Sequence, residues 1–151
     1  MKMKLELIIL LTLFTVSSIF ATNPFMWEED GIPIRQGVNI EWSRASAVLD
    51  NDTVVYVWSD TRYGGRDLWA QAVDNTGILW GSGGVLVDGK DDRQEDPVVI
   101  ATSDGNAIIA WIDFYDDTVN GGVYAQKISP AGELLWDDSV ALCTADGVQI
   151  S

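Results

Sequence analysis

The 151-residue sequence contains no histidine and a single cysteine, Cys143. The lack of histidine removes the commonest general base, the commonest zinc ligand and every Ser/His or Cys/His nucleophile pair. One cysteine cannot form a disulfide within the chain, so the folded state must depend on packing. These absences exclude most catalytic mechanisms. We predict no catalytic residue, no metal and no cofactor.

Basic residues are also few: nine Lys and Arg stand against 23 Asp and Glu, which gives a formal net charge of −14. Binding to nucleic acid is driven by Lys and Arg side chains that displace counterions from phosphates, so we predict no nucleic-acid partner. The acidic stretch DGKDDRQED, residues 88–96, offers oxygens to calcium but lacks the spacing of an EF-hand loop, and Lys90 and Arg93 offset part of its charge. We interpret it as a solvated loop and leave calcium binding open.

Only one long hydrophobic run is present, and it lies at the N-terminus. Lys2 and Lys4 precede an apolar stretch over residues 7–20, and the small residue Ala21 follows it. This order is typical of an export signal, and the run is shorter than the roughly 20 residues of a membrane-spanning helix. The sequence predicts a signal peptide over residues 1–21, a secreted or cell-surface location, and no membrane insertion after cleavage.

The region from 22 to 151 repeats itself. Trp27 and Trp80 are separated by the same interval in the sequence as Trp58 and Trp111. Fixed-period similarity of this kind is typical of repeat architectures. We divide the repeat region into a unit at 27–79, a unit at 80–135 and a partial unit at 136–151.

Each complete unit contains four short segments with the apolar pattern of strands, and no segment after residue 21 has helical apolar spacing. The first two segments of each unit are joined by Asn51-Asp52 and by Asp104-Gly105, which are residue pairs that tight hairpins favour. We therefore predict an all-β fold built from tandem four-stranded antiparallel sheets.

The second segment of the first unit is apolar on both sides. Val54, Tyr56 and Trp58 alternate with Val55 and Val57. A strand covered on one face only would alternate apolar with polar residues, so both faces of this sheet are expected to be covered. Four-stranded sheets that stack as blades around an axis satisfy this pattern together with the repeat, whereas a two-sheet sandwich does not predict the repeat.

Two units and a partial one are fewer than the roughly four to eight blades of a closed ring. We therefore expect an incomplete, open β-propeller. It would belong to a longer protein or be completed by self-association. The expected partners include further blades of the same protein or other copies of the chain.

The motif order W-x-D, a Gly-Gly loop, Y/W-A-Q and then a Gly one or two residues before L-W occurs twice, as VWSD…GGRDLWAQAVDNTGILW and AWID…GGVYAQKISPAGELLW. It resembles the propeller repeats of large secreted bacterial proteins. It is more distantly similar to sialidase-type propellers, whose S-x-D-x-G-x-x-W turn is only partly matched by SDGNAIIAW. The resemblance implies a propeller at the cell surface, and it is compatible with binding, scaffolding or enzymatic functions.

Positions that match between the units are predicted to pack the repeats or to form buried hydrogen bonds, with ligand binding as the less favoured interpretation. These positions are Trp27, Trp58, Asp60, Gln71, Trp80, Trp111, Asp113, Gln126 and Trp136. Within this set we interpret the two aspartates as turn residues that accept backbone N–H bonds.

Positions without a counterpart are the candidates for ligand binding. Trp42 aligns with Glu95, and Arg62, Tyr63 and Arg66 lie in a loop whose charge and length differ in the second unit. An exposed tryptophan can stack on a sugar ring or anchor a partner protein, although each of these residues is also compatible with ordinary surface. The sequence favours a non-enzymatic module that binds protein or carbohydrate. A sialidase-like glycoside hydrolase is the alternative.

Overall fold

The computed structural model describes residues 31–35, 41–50, 52–91, 93–114 and 121–144. The predicted signal peptide and Trp27 lie outside the described residues. Within them the chain is all-β, which confirms the predicted fold class. No helix long and apolar enough to cross a membrane occurs in this part of the chain.

Nine strands form two antiparallel sheets in the described chain. The strands of sheet 1 are β1 (Glu41–Val48), β2 (Val54–Asp60), β3 (Asp67–Asp74), β4 (Gly77–Ile78) and β5 (Val85–Asp88). The strands of sheet 2 are β6 (Gln94–Ala101), β7 (Ala107–Asp113), β8 (Gly122–Ile128) and β9 (Val140–Cys143). Sheet 1 has the order β1-β2-β3-β4, with β5 also paired to β3, and sheet 2 has the order β6-β7-β8-β9.

The two sheets follow the same plan. β6 and β7 begin at the positions that match the first residues of β1 and β2 in the sequence repeat. β8 and β9 begin 55 residues after β3 and β5, whereas β6 and β7 begin 53 residues after β1 and β2, because the loop before β8 is longer than the loop before β3. The border between the sequence units at residues 79 and 80 lies inside sheet 1, since β5 pairs with β3. The sheets and the sequence units are therefore out of phase along the chain.

Register shifts also occur at corresponding positions in the two sheets. The register of β3 with β5 shifts between Leu68 and Trp69, and the register of β8 with β9 shifts at the equivalent place, between Val123 and Tyr124. β1 and β6 each carry a shift near the start of the strand. A bulge bends its strand and increases the local twist, so matching bulges give the two sheets matching shapes.

The hairpin turns have the chemistry that the sequence indicates. Asp52 has a φ of 61° in the β1–β2 turn, and Gly105 has a φ of 80° in the β6–β7 turn. Asp and Gly tolerate this left-handed backbone, which a β-branched residue would strain. Each turn is closed by a backbone bond, from Asp52 N to Leu49 O (3.2 Å) and from Gly105 N to Thr102 O (3.0 Å).

The sheets pack face to face, and β1 lies beside β6. A single apolar cluster draws side chains from both sheets. Its buried members are Leu49, Val55, Val57, Leu68, Ala70 and Val87 from sheet 1, with Ala107, Ile109, Trp111 and Ile128 from sheet 2. Burying one large aliphatic or aromatic side chain contributes about 1.5–3 kcal/mol, so this interface is the main source of stability in the described chain.

Polar contacts also join the sheets. The indole Nε1 of Trp80 donates to Pro130 O at 2.9 Å, and Gln94 N donates to Arg66 O at 2.8 Å. Gly132 lies flat against the Trp80 ring, where a Cβ would be 3.0 Å from the indole. These bonds fix the position of one sheet over the other, because they satisfy polar groups at the edge of the apolar cluster.

Candidate functional site: the arginine–aromatic end of sheet 1

The four residues predicted to bind a ligand lie at one end of sheet 1. Trp42 stands at the start of β1, paired with Ser59 near the end of β2. Arg62, Tyr63 and Arg66 follow in the loop of residues 61–66 that joins β2 to β3. We call Trp42, Arg62, Tyr63, Arg66 and Trp69 the arginine–aromatic end.

Arg62 is held in place on all sides. Its guanidinium carbon lies 3.7 Å from the ring centroid of Trp69. Its Nε and Nη2 donate to Asp60 Oδ2 at 2.9 and 2.6 Å, and its Nη1 donates to Gly83 O at 2.8 Å. A guanidinium that is stacked and hydrogen-bonded in this way forms a rigid support for the loop.

Tyr63 is the most exposed aromatic side chain in the described part of the chain, with 75% of its surface accessible. Its ring centroid lies 5.6 Å from that of Trp69, and the two planes are inclined by 48°. Trp69 thus carries the Arg62 guanidinium and the Tyr63 ring. The phenol of Tyr63 is presented to solvent on a fixed base.

Trp42 is 41% exposed and lies against a second arginine. The guanidinium carbon of Arg66 is 3.9 Å from the Trp42 ring centroid, and Arg66 Nη1 forms an ion pair with Glu95 of sheet 2. Arg66 therefore links both sheets. The arginine that supports the Trp42 ring is thus held in turn by a carboxylate of sheet 2.

Asp60 is the buried carboxylate that holds Arg62 at the arginine–aromatic end. Its carboxylate is completely buried and accepts bonds from Trp58 Nε1 (2.9 Å) and from Arg62 N (3.0 Å). Burial by itself raises the pKa of Asp60. The hydrogen bonds from Arg62 and Trp58 outweigh burial, so the pKa lies below the ordinary value and the carboxylate stays charged.

Asp67 is a buried carboxyl that the sequence analysis missed. It pairs with Asp60 across the β2–β3 ladder, and its Oδ2 has no hydrogen-bond partner among the described residues. Burial raises the pKa of Asp67, and the negative charge of Asp60 raises it further. The repeat contained a sign of it, because Asp67 has no counterpart in the second unit: the position that matches it is Gly122 in β8.

Replacing Asp67 with asparagine is expected to stabilise the protein at neutral pH. A group whose pKa is raised by folding contributes stability below its unfolded-state pKa and loses it as the pH rises through the folded-state pKa. Asp67→Asn should therefore raise the free energy of unfolding by about 1 kcal/mol at neutral pH, since it removes a buried charge with an unpartnered oxygen. The gain should vanish at about pH 3, below the ordinary aspartate pKa, where the wild-type carboxyl is protonated. Urea unfolding at both pH values measures it.

The matched control is Asp60→Asn, which should have the opposite effect. The lowered pKa of Asp60 means that its contribution is present at neutral pH and is lost as the pH falls through the folded-state pKa. Asp60→Asn is thus expected to destabilise at neutral pH and to have less effect in acid. Equal effects of the two variants would show that the carboxyls are equivalent, contrary to the geometry.

Four of the five arginines of the chain are at this end: Arg35, Arg62, Arg66 and Arg93. Besides the ion pairs described above, Arg35 contacts Glu41 at 3.3 Å, and the Arg93 guanidinium carbon lies 4.1 Å from the ring centroid of Phe114. The positive charges therefore face carboxylates or aromatic rings of the protein. The end presents aromatic faces and hydrogen-bonding edges, with little net positive charge.

A cavity of about 260 Å³ adjoins this end on the side of sheet 1 that faces away from sheet 2. Ile32, Ile34 and Tyr56 form its apolar wall, and Arg35 and Glu41 form its polar wall. The cavity is large enough for one small side chain or part of a sugar ring. A second cavity of about 450 Å³ lies between β5 and the β8–β9 connection, beside Lys90 and Asp138.

Two carboxylates of the acidic stretch at 88–96 form ion pairs, one within the stretch and one with the β2–β3 loop. Asp88 lies 3.6 Å from Lys90 Nζ, and Glu95 is paired with Arg66. Among the residues with described positions, no group of three or more Asp, Glu or Cys side chains is arranged to hold a metal ion.

The matched tryptophans occupy matching places. Trp58 and Trp111 are almost completely buried near the ends of β2 and β7, whereas Trp80 and Trp136 are half-buried in the segments that precede β5 and β9. Asp113 is buried at the end of β7, at the position that corresponds to Asp60.

Gln71 joins β3 to the segment that follows β4. Its Oε1 accepts bonds from Ala72 N (3.0 Å) and Trp80 N (2.9 Å), and its Nε2 donates to Gly81 O at 2.6 Å. One buried amide thus forms hydrogen bonds with three backbone groups.

Gln126 does the same in sheet 2. Its Oε1 accepts bonds from Lys127 N (2.8 Å) and Trp136 N (3.2 Å), and its Nε2 donates to Trp136 O at 3.2 Å. The repeated W-A-Q and Y-A-Q motifs thus have one structural role in both sheets.

Comparisons with known proteins add no identification. The chain matches no protein-family model, no curated protein and no solved structure.

Proposed function

We propose that this chain is a non-enzymatic binding module, exported by residues 1–21, that acts outside the cell or at the cell surface. Its two stacked sheets are tandem blades of an incomplete β-propeller, and the arginine–aromatic end contacts a protein or carbohydrate ligand. The all-β fold with two similar, face-packed sheets supports the architectural part of this proposal.

One observation carries the functional part. Tyr63 and Trp42 are exposed aromatic rings on a base of stacked, ion-paired arginines. Rigid aromatic rings with a polar edge bind ligands at a low cost in conformational entropy, and Trp, Tyr and Arg are the residues enriched in binding hot spots. The arginines hold the rings in place before a ligand arrives, which favours affinity.

Hydrolysis of a glycoside requires two carboxyl groups on either side of the bond, about 5–10 Å apart and open to the sugar. The paired carboxyls at this end, Asp60 and Asp67, are 0% and 4% exposed and lie beneath the loop. The arginines that would recognise an acidic sugar are paired with carboxylates of the protein itself. Binding therefore fits the site better than hydrolysis.

The test is a ligand search followed by loss of binding in variants. The full chain is screened on a glycan array, and proteins of its own cell surface are cross-linked to it. With any ligand found, Tyr63→Ala and Trp42→Ala should each weaken binding about tenfold or more, which corresponds to about 1.4 kcal/mol or more for a hot-spot side chain. Calorimetry measures the change.

Asn75→Ala is the matched control, because Asn75 is exposed in the β3–β4 turn at the other end of sheet 1. This variant should bind as the wild type does. Undiminished binding by the Tyr63→Ala/Trp42→Ala double variant would refute the assignment of the site. Glycosidase activity that the array ligands inhibit would instead support the hydrolase.

A further inference from the structure

The cavity of about 450 Å³ between β5 and the β8–β9 connection has walls from both sheets. We call it the rim cavity. Sheet 1 contributes residues 87–90, and sheet 2 contributes Gln126, Leu134 and residues 136–139. Its volume is within the range of small-molecule sites, about 300–1,000 Å³. The rim cavity shares no lining residue with the arginine–aromatic end, and it exists only because the two sheets pack together.

The charged lining residues of the rim cavity have no charged counterpart in the other unit. Counted from the first residues of β5 and β9, Asp88 matches Cys143 and Lys90 matches an alanine. Residues 137–139, Asp-Asp-Ser, match the uncharged stretch GSGG at 81–84. Both sheets form, although only one of them has these charges at its rim. As at the arginine–aromatic end, residues that are not needed to build the repeat are available for another role.

Lys90 supplies a donor with unused protons at the wall of the rim cavity. Its Nζ donates to Ser139 Oγ at 2.8 Å and lies 5.2 Å from the ring centroid of Tyr124. The carboxylate oxygens beside it, in Asp88 and Asp138, are 3.6 and 3.8 Å away, which is beyond hydrogen-bond distance. An ammonium group carries three protons, and Lys90 donates one of them within the described part of the chain. Lys90 can therefore donate to a ligand.

Carboxylates supply acceptors around the same cavity. Asp137 is exposed, and the side chain of Asp138 is 83% accessible. Asp138 Oδ1 accepts from Ser139 N at 2.8 Å, whereas Asp138 Oδ2 and both oxygens of Asp137 accept no hydrogen bond from any residue with a described position. Leu134 and Trp136 line the cavity as well and add apolar surface. Donor, acceptor and apolar groups thus lie side by side.

The segment that carries these aspartates is fixed in place at both ends. Gln126 accepts a bond from Trp136 N and donates one to Trp136 O, each at 3.2 Å. Ser139 is held by Lys90 from the other sheet. A site that is ordered before its ligand arrives loses less conformational entropy on binding, which favours affinity.

This mixture of groups favours an uncharged ligand that is rich in hydroxyl groups. A cation would meet the ammonium of Lys90, which already lies beside two of the three aspartates. An anion would meet those aspartates on a chain with a net charge of −14. A hydroxyl group is both donor and acceptor, so it can accept from a lysine and donate to an aspartate at the same time.

We propose that the rim cavity binds a neutral mono- or disaccharide. Its hydroxyl groups accept from Lys90 Nζ and donate to Asp137 and Asp138, and the apolar face of the sugar ring packs against the apolar part of the wall. Small-molecule sites combine a few placed polar groups with apolar surface in this way. This site is a second one, and the proposal does not depend on the ligand of the arginine–aromatic end.

Amide NMR of the nitrogen-labelled full chain tests the proposal, with cellobiose, maltose, lactose and diacetylchitobiose as neutral probes. At least one of them should shift the amide resonances of Lys90, Asp138 and Ser139 in a saturable manner. Glucosamine and glucuronic acid, which carry opposite charges, should cause smaller shifts at the same concentration. The proposal is overturned if no neutral probe shifts these amides, or if either charged sugar binds more tightly than all the neutral ones.

The position of the shifts distinguishes this site from the one proposed above. Shifts confined to the amides of Trp42 and Tyr63 would place the sugar at the arginine–aromatic end, which would support that function and overturn the present inference. Shifts confined to the rim cavity would support the inference and leave the ligand of the other end to its own test.

Variants of the rim cavity identify the groups that hold the sugar. Lys90→Met removes the donor but keeps a side chain of similar length, and Asp137→Ala/Asp138→Ala removes exposed acceptors. Each should weaken binding of the responding probe about tenfold or more, the loss expected for a hydrogen bond to a charged group. Lys90→Gln retains an N–H donor and should recover part of the affinity, which a merely structural role of the charge would not predict.

Lys127→Met is the matched control, because Lys127 Nζ contacts Asp104 at 2.6 Å and does not line the rim cavity. This variant should bind the probe as the wild type does. Unchanged affinity in both Lys90→Met and the double aspartate variant would overturn the proposal. The exposed aspartates keep the test valid if Lys90→Met loses its far-ultraviolet circular dichroism spectrum, since their replacement removes no buried contact.

Discussion

Replacing Trp111 with alanine is expected to lower the free energy of unfolding by about 4 kcal/mol, because removing a fully buried tryptophan costs about 3–5 kcal/mol. Trp111 is 1% exposed and belongs to the cluster shared by the two sheets. Marginally stable domains have only about 5–15 kcal/mol in total, so this loss removes a large share of the stability. Urea unfolding followed by tryptophan fluorescence measures the loss.

Trp111→Phe is the graded control, since it keeps an aromatic ring in the cluster and should cost clearly less than alanine. Trp58→Ala tests the equivalent position of sheet 1. Its indole donates to Asp60 and lies on the side of sheet 1 that faces away from sheet 2, where Tyr56 packs beside it at 5.9 Å between ring centroids. A loss below about 1 kcal/mol in Trp111→Ala, far less than a buried tryptophan should cost, would mean that the sheets do not share a core.

Replacing Gln71 with leucine is expected to cost about 3 kcal/mol, although the change makes the interior more apolar. It leaves Ala72 N, Trp80 N and Gly81 O without the side-chain partner that each has in the wild type. A buried polar group without a partner costs about 1–3 kcal/mol, and water can reach part of this segment, so the three losses do not sum to their maximum. Thermal unfolding by calorimetry measures the effect.

The side chain of Gln126 makes the equivalent set of bonds, so Gln126→Leu is the matched variant and should cost a similar amount. Gln71→Glu distinguishes the contribution of the accepting oxygen from that of the donating nitrogen. A carboxylate still accepts from Ala72 N and Trp80 N, but it cannot donate to Gly81 O. An effect of Gln71→Leu within about 0.5 kcal/mol, the range of an ordinary surface change, would contradict a structural role for this amide.

The core and binding variants are expected to behave differently in the same two measurements. Trp111 is buried, so its loss should lower stability, and binding should be lost only as the protein unfolds. Tyr63 is exposed on a fixed base, so Tyr63→Ala should reduce binding while the unfolding temperature stays near that of the wild type. A matched pair of this kind distinguishes a binding residue from a residue that maintains the fold.

The strands could be predicted because their causes are local. Alternation of apolar residues, Asn-Asp and Asp-Gly turns and the constant spacing of the repeat identified β1, β2, β6 and β7 before any coordinates. The short β4, which pairs with β3 through two residues only, was not predicted, because two residues show no periodicity.

The candidate binding residues were found by a different kind of reasoning. Trp42, Arg62, Tyr63 and Arg66 have no counterpart in the other unit, and a residue that is not needed to build the repeat is available for another role. The tertiary structure places all four at one end of sheet 1. The contacts of Arg62 and Tyr63 with Trp69, and the ion pairs of the two arginines with Asp60 and Glu95, were not predicted, because these partners come from other parts of the chain.

By itself the sequence determined the all-β class, the tight turns and the similarity of the two sheets, since each depends on neighbours within a few residues or on the repeat. Only the tertiary structure decided which carboxyls are buried together, which arginines are already paired and which sheet faces remain uncovered. These properties depend on the distance between segments far apart in the chain. Burial and electrostatic interactions depend on how close such segments come in space, and the order of residues does not specify that distance.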